Sequence, residues 1–375
     1  MTTGIRLGIV GGGQVGQAAV KDAGKIQGVE TVGLAEPGEL LRDHLGREFG
    51  MAVFPTLEAM LRQARLDAVK ICTPNSLHAQ QAIACLEAGV HVLCEKPLAT
   101  SPADAERVLE TAQRSGKVFM VNYEYRFSRL FARIKELLDA DEIGEVRNFW
   151  FYESRGGFFG PEGGWRFTKG GSGGLFGEKL GHYIDLVHWY SESDFRRVRV
   201  MHGSNTLPHY QIPDHTMAFF ELAGGQTFTL LTHHGLAADA PNFALPHGSP
   251  VNLEMLPRLG HMAGFRICGT KGSIISDDWR QTITINRLVK DYSGLRGGWR
   301  MEHERTEDFS GHDYSENVHN QAGMLAQFLD HCRRAEALIY PPAAQLLAVM
   351  AAVGAAERSV ENQTAELIEL EGRPH

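Results

Sequence analysis

Two clusters of ionisable residues in this chain have the types and spacing for acid–base chemistry. The first is Glu95-Lys96-Pro97, which closes the apolar run Val90-His91-Val92-Leu93-Cys94. A strand that ends in a carboxylate and an amine, rather than in a Gly or Asn turn, brings two ionisable groups to one sheet edge. In an open parallel sheet the carboxyl edge is where ligands bind. The second cluster is Glu178-Lys179-Leu180-Gly181-His182, followed by Asp185. The spacing i, i+4, i+7 predicts that Glu178, His182 and Asp185 share one face of a helix. An imidazole one turn from a carboxylate has a stabilised protonated form, which suits proton exchange with a substrate hydroxyl near neutral pH. Plainer readings exist for both: a solvated ion pair beside a loop proline, and a Glu–His pair on a helix surface. A metal site at Glu178, His182 and Asp185 is a further alternative. No His-Glu-x-x-His or Cys pair accompanies it, so no metal is expected.

The elements around the first cluster give it a context. Ile5–Val10 reads as a short strand and runs into Gly11-Gly12-Gly13-Gln14-Val15-Gly16, which is G-x-G-x-x-G between a strand and a helix. Gly11 permits the tight turn, Gly13 lets the backbone approach a pyrophosphate, and Gly16 allows close helix–strand packing. The helix N-terminus at Gln14 and Val15 offers N–H groups and a positive dipole end to phosphates. A second strand, Thr31–Ala35, ends in Glu36, where an acidic side chain accepts the adenosine ribose hydroxyls. A carboxylate there repels a 2′-phosphate, and Pro37, Gly38 and Glu39 supply no arginine, so NAD is expected over NADP. Strands then alternate with helices: Asp67–Cys72 leads to Thr73-Pro74-Asn75-Ser76-Leu77-His78, and Lys117–Asn122 reads as a sixth strand. This alternation predicts a doubly wound parallel sheet, with the glycine turn, Thr73-Pro74-Asn75 and Glu95-Lys96-Pro97 on one edge.

Beyond Asn122 the texture changes. A helix at Leu130–Leu138 and an aromatic strand at Val146–Tyr152 precede a glycine-dense loop from Gly156 to Gly177. Short alternating runs follow (Val198–His202, His215–Glu221, Thr227–Thr232, Phe265–Cys268, Ile274–Ile275, Thr282–Ile285), without helices between them. They predict a largely antiparallel sheet. A helix over about 343–360 and a strand at Ala365–Leu370 close the chain. The fold class expected is therefore α/β: an N-terminal Rossmann domain, residues 1–122, and an α+β domain with an open, mainly antiparallel sheet, residues 123–375. The helix near 343–360 is expected to pack back on the first domain.

Bulk properties limit the functional classes. A chain of 375 residues exceeds one ordinary core, and 43% hydrophobic with 22% charged residues is a globular balance. A net charge of -8 without a Lys/Arg run argues against a nucleic-acid surface. No apolar stretch is expected to reach the roughly 18 residues of a membrane span, and the early strand is expected to leave no room for a signal peptide. The scattered, odd-numbered cysteines (72, 85, 94, 268 and 332) read as reduced thiols of a cytoplasmic protein.

Taken together, these motifs resemble the glucose–fructose oxidoreductase / inositol dehydrogenase / MocA family of sugar and cyclitol dehydrogenases. The resemblance rests on residues 11–16, 73–78 and 95–97, on the glycine loop leading to Glu178, His182 and Asp185, and on Gly269-Thr270-Lys271-Gly272-Ser273. It implies NAD as cofactor, held by Gly11, Gly13, Gln14, Val15, Gly16, Glu36, Thr73, Pro74, Asn75, His78, Glu95 and Lys96. It also implies catalysis by Lys96, His182 and Glu178, a cis Lys96–Pro97 bond, a carbohydrate or polyol substrate, and a homo-oligomer formed through the second sheet. Many relatives carry Asp at the position of Glu178 and an apolar residue next, where this chain has Lys179. Tyr123, Arg126, Trp165, Arg166, Lys179 and Asp185 are candidates for holding the substrate, and Arg126, Arg155, Arg166 and Lys179 would suit an anionic sugar. Two other functions share the motifs: a redox-neutral, NAD-dependent glycoside hydrolase and a non-catalytic NAD-binding regulator.

Overall fold

The computed structural model describes residues 4–158, 160–235, 262–291, 298–334 and 336–368. In chain order they form β1 (Ile5–Val10), α1 (Gln14–Ala23), β2 (Val29–Ala35), α2 (Glu39–Phe49), β3 (Val53–Phe54), α3 (Leu57–Gln63), β4 (Ala68–Ile71), α4 (His78–Glu87), β5 (His91–Glu95), α5 (Pro102–Ser115) and β6 (Val118–Asn122). Then come α6 (Arg129–Asp139), β7 (Val146–Arg155), α7 (Lys169–Ser172), α8 (Gly181–Ser191), β8 (Phe195–Met201), β9 (His215–Leu222) and β10 (Thr227–His234). The chain continues with β11 (Met262–Gly269), β12 (Gly272–Asp277), β13 (Thr282–Asp291), β14 (Gly298–Asp308), α9 (Tyr314–Val318), α10 (Gln321–Arg334), β15 (Leu338–Tyr340), α11 (Ala343–Asn362) and β16 (Ala365–Leu367). Glu369 and Leu370, expected in the last strand, lie outside the described residues.

The residues group into two compact units. One comprises Met1–Phe127, Gly170–Gly173 and Asn320–Met350; the other comprises Ser128–Lys169, Gly174–His319 and Ala351–His375. In the first, seven strands in the order β15-β6-β5-β4-β1-β2-β3 form one sheet, and every pairing in it is parallel. The order reverses beside β1, where a doubly wound sheet opens a crevice at its carboxyl edge. Local signals start the helices as the sequence suggests. Thr56 Oγ1 accepts the Ala59 N–H at the head of α3, and Ser101 Oγ accepts the Asp104 N–H at the head of α5.

Residues 320–350 follow the second half in sequence but join the first unit. On α10, Met324, Leu325, Phe328, Leu329 and Cys332 form one buried stripe against Leu7, Ile9, Val118 and Met120. Burying each large apolar side chain there contributes roughly 2 kcal/mol. β15 then pairs with β6 and adds a seventh strand. Three residues are too few to show an alternating pattern, so sequence reading stops at six.

The second unit is built on nine strands in the order β14-β13-β12-β11-β7-β10-β9-β8-β16. Its pairings are antiparallel except β7 with β10, which run parallel. Phe151 of β7 stacks on Tyr183 of α8 at 3.8 Å and lies 4.5 Å from Phe265 of β11, an aromatic seam that fixes α8 on one face. β14 escapes sequence reading because Glu302, His303, Glu304 and Arg305 are exposed or half-exposed and show no apolar alternation. α11 corrects a further expectation: by length and composition it is apolar enough to cross a membrane. In the structure 56% of its apolar window is buried, as in the core helix of a folded domain.

Candidate active site

In the first unit the parallel pairing brings the ends of β1, β4 and β5 to one edge. Gly11 has φ +98°, and a Cβ on it would lie 2.8 Å from the Cys72 carbonyl oxygen. A Cβ on Gly16 would lie 1.9 Å from the Gly11 carbonyl oxygen, so no larger residue fits while the turn is kept. Above Gly13 there is open space, with no atom within 4 Å of a Cβ built there. Gly13 caps α1 without a side-chain hydrogen bond, leaving the helix head, with Gln14 and Val15, to a phosphate. Glu36 sits beside this turn: its Oε2 accepts the Gly12 N–H at 2.9 Å and its Oε1 accepts the Gly38 N–H at 2.8 Å. These features fit a dinucleotide. Sequence reading overlooked Arg42, whose guanidinium donates at 3.0 Å to the carbonyls of both Glu36 and Pro37.

The loops after β4 and β5 are tied together by His78. It is fully buried, with Nδ1 2.7 Å from the Pro97 carbonyl oxygen and Nε2 2.9 Å from that of Thr73. Burial pushes its imidazole below the ordinary value despite both carbonyls. His78 is thus a brace between two loops, and the expectation that it faces the cofactor does not fit its engaged nitrogens. Asn75 is buried too and donates to the Ser172 carbonyl at 2.8 Å, while Thr73 Oγ1 bonds Gln81 at 2.5 Å. The Lys96–Pro97 peptide bond is cis. Glu95 turns inward, 3.4 Å from Lys70 Nζ and accepting from Asn122 Nδ2 at 2.6 Å. Tyr123 and Arg126 are buried within this unit, Arg126 donating to Gln345 at 3.0 Å and lying 5.9 Å from the Tyr340 ring.

In the second unit Glu178, Lys179, His182 and Asp185 are all buried. They do not lie on one α-helix: Phe176–Leu180 is a π-helical turn, and α8 starts only at Gly181. Single π turns recur at functional sites because they shift the facing of the side chains. Glu178 Oε1 accepts from Arg166 Nε at 3.0 Å, and the Arg166 guanidinium lies 5.0 Å from the Trp165 ring. Arg166 therefore engages the carboxylate expected to stabilise His182. Lys179 Nζ lies 3.3 Å from Glu153 Oε1. Glu153 is 2% exposed and also accepts from Tyr183 at 3.0 Å and Thr232 at 3.3 Å. Burial pushes His234, 3.9 Å away, below its ordinary value. No sequence motif marks Glu153, which sits alone in an aromatic strand.

A buried acid also holds the head of the π turn. Glu357 of α11 accepts the Phe176 N–H at 2.7 Å, and a Cβ on Gly174 would lie 2.1 Å from its carboxyl carbon. Burial pushes Glu357 up to about 7, against the backbone N–H groups of Phe176 and Gly177 and against Lys169, while Glu361 raises it further. Among the described residues no group of three or more His, Cys, Asp or Glu side chains is placed to hold a metal ion.

The family models settle the lineage. Residues 5–123 match the model of an oxidoreductase family with an NAD-binding Rossmann fold, and residues 131–275 match the GFO/IDH/MocA C-terminal domain, together more than half of the chain. The chain belongs to this oxidoreductase family. Its first unit is an NAD-binding Rossmann domain, in agreement with the glycine turn and Glu36. Among curated proteins it is similar to the inositol 2-dehydrogenase/D-chiro-inositol 3-dehydrogenase of Shouchella clausii, 25% identical over 299 residues, which is 74% of this chain and 79% of the relative. It is also similar to the D-glucoside 3-dehydrogenase of Escherichia coli, 31% identical over 144 residues, 38% of this chain and 41% of the relative. Among solved structures, levoglucosan dehydrogenase in complex with NADH and levoglucosan shares the fold, with a TM-score of 0.76 at 21% identity, covering 98% of this chain and 100% of that one.

Two measurements test this geometry. Replacing Glu36 with Ser removes the carboxylate expected to repel a 2′-phosphate while Arg42 stays nearby. The KM for NAD should rise about tenfold or more and NADP should become a usable cofactor; unchanged discrimination would remove Glu36 from cofactor choice. For Glu357 the sign follows from a folded-state value raised from 4.5 to about 7. The group's contribution to stability is fully present below the ordinary value and is lost as pH rises through about 7. Glu357→Gln should therefore gain stability relative to the wild type between pH ~5 and pH ~8, by on the order of 3 kcal/mol at most, read as a growing Tm difference. A gain that shrinks with pH contradicts the burial argument.

Proposed function

We propose that the protein is an NAD-dependent dehydrogenase acting on a secondary alcohol of a sugar, cyclitol or glycoside. The observation that carries this reading is the position of Lys96, on the same edge of the parallel sheet as the glycine turn and the Thr73-Pro74-Asn75 loop. The names of the inositol and glucoside dehydrogenases similar to this chain support the substrate class. Bound NAD supplies the acceptor or donor of a hydride. His182 takes the proton of the reacting hydroxyl, and its burial keeps competing water from it. Lys96 stabilises the alkoxide that develops as the proton leaves. Glu178, with Arg166 on its Oε1, fixes the π turn that precedes His182 and offers the imidazolium a carboxylate whose charge is partly offset. Trp165 and Asp185 remain candidates for holding the other hydroxyls, and residues 4–368 are read as part of a cytoplasmic enzyme with reduced cysteines.

The placement of the cations bears on the anionic-sugar reading. Arg166 and Lys179 each already hold a carboxylate, Arg126 is buried against Gln345 and Tyr340, and Arg155 donates to the Gly156 carbonyl and lies 5.5 Å from the Phe158 ring. A neutral polyol is therefore the better fit. A redox-neutral glycosidase would use the same oxidation at the sugar, followed by elimination, hydration and re-reduction, and it differs in its products alone.

With myo-inositol, levoglucosan and aryl glucosides as probes, the active substrate should give NADH by absorbance. Lys96→Ala should keep NAD binding and lose at least about a thousandfold in kcat, and His182→Asn about a hundredfold or more. Near wild-type turnover by Lys96→Ala would overturn the assignment. Phenol release from an aryl glucoside with catalytic NAD and no net NADH would select the glycosidase.

Oligomerisation belongs to the same proposal. β9 alternates strictly, turning Met217 and Phe219 outward at 53% and 44% exposure, and Met201 of β8 pairs opposite Met217. Such a row on a sheet face suits a second copy of the chain. Combining Met217→Glu with Phe219→Glu should reduce the mass measured by light scattering to that of one chain. A single-chain mass for the unaltered protein, or no change in the variant, removes this face from the assembly.

A further inference from the structure

The turn that carries Glu178 and leads to His182 lacks the local groups that ordinarily hold a helical start. Leu175 stands at its N-cap and gives no side-chain hydrogen bond. A Ser, Thr, Asp or Asn there would accept from one of the free N–H groups that open any helix. Gly177 within the turn and Gly181 at its close are poor helix formers. The closing bond is unusual too: the Gly181 N–H donates to the Phe176 carbonyl, five residues back instead of four. The acceptor missing at the head comes from α11. Glu357 Oε1 takes the Phe176 N–H at 2.7 Å across a separation of 181 residues. Glu357 is 6% exposed, and its neighbours Val353, Ala355 and Ala356 on α11 are buried apolar residues. A carboxyl group in such surroundings costs free energy unless hydrogen bonds offset it, and an apolar residue would avoid that cost.

We propose that Glu357 is a positioning residue for His182: it caps the π turn from α11 and so fixes where α8 begins. This rests on the reading of His182 given above and adds a residue to it. The path is short. Glu357 holds the Phe176 N–H, the Phe176 carbonyl holds the Gly181 N–H, and His182 is the next residue. α11 meets the far end of the turn as well: a Cβ built on Gly181 would lie 3.8 Å from Val353 Cγ2, an ordinary packing distance. Val353 stands four residues before Glu357, so the two share one side of α11. Gly174 gives the carboxyl group its room: its φ is +90°, and a Cβ on it would fall 2.1 Å from the Glu357 carboxyl carbon. Every group in this path belongs to the second unit. Released from Glu357, the turn can revert to α-helical spacing. Losing the extra residue rotates the segments on its two sides by about 100° relative to each other, one residue of helix. Catalysis tolerates far smaller errors in the placing of a base.

Amide hydrogen exchange of the full chain, without cofactor or substrate, reads the turn directly. Glu357→Ala should raise exchange at Phe176 and Gly181 about tenfold or more, with the amides of β9 and β10 within about twofold of the wild type. Glu357→Gln keeps an acceptor oxygen and should hold both turn amides within about threefold. In turnover, on whichever of the probes above gives NADH, Glu357→Ala should lower kcat about tenfold or more while the KM for NAD stays within about twofold, and Glu357→Gln should restore kcat. A merely structural role would loosen the whole unit and leave kcat per folded molecule unchanged. Where Glu357→Ala does not fold, Glu357→Asp takes its place, its carboxyl one carbon short of Phe176, with the same directions expected. Unchanged exchange at Phe176 and Gly181, a rise shared equally by β9 and β10, or an unchanged kcat overturns the proposal. His182→Asn tests the underlying reading on its own. Full turnover there would overturn the role of His182, while the exchange rates, which need no turnover, separately decide whether Glu357 holds the turn.

Discussion

An ion removed from water must find its countercharge inside the protein, and both units are arranged around that requirement. In the first, Lys70 and Glu95 meet with two amides closing the network. In the second, Lys179 meets Glu153, which a tyrosine and a threonine also satisfy. Each pair stands one residue from a group assigned to chemistry: Glu95 precedes Lys96, and Lys179 follows Glu178. Removing one partner of such a pair leaves an uncompensated charge and is far costlier than removing both. The pairs therefore fix the backbone beside Lys96 and Glu178, the groups proposed for the chemistry.

Backbone groups do comparable work in each unit. Glu36 is held by two main-chain N–H groups, His78 by two main-chain carbonyls, and Glu357 sets the head of the π turn through the Phe176 N–H. In each case a side chain distant in sequence fixes a loop whose own residues are too small or too flexible to fix themselves. The glycines follow from this. Gly16 is needed because the Gly11 carbonyl lies where a Cβ would stand, and Gly174 because the Glu357 carboxyl does.

The same constraint changes how the basic residues are read. Arg166 and Lys179, attractive in sequence as anchors for a substrate, each hold a carboxylate of this chain. Long cationic side chains near a site are as useful for neutralising its acids as for binding ligands. The Glu178 carboxylate consequently has a cation of this chain beside it before any ligand arrives.

The sequence by itself determined what depends on local pattern. The glycine turn, the acid ending β2, the alternation of strands and helices and the ionisable end of β5 are each written within about thirty residues, because their geometry is set by neighbours along the chain. The family and its cofactor follow from them. Tertiary structure alone decided the rest. The capture of α10 and β15 by the first unit depends on a buried stripe meeting a distant sheet. The π turn at Phe176–Leu180 breaks the helical spacing that i, i+4, i+7 assumed. Lys70, Glu153 and Glu357 carry no motif, since what makes each of them matter is the partner brought to it by the fold: 25, 26 and 181 residues away for Lys70 with Glu95, Glu153 with Lys179, and Glu357 with Phe176. Pairing of buried charges is a property of three-dimensional neighbours, and a linear pattern does not contain it.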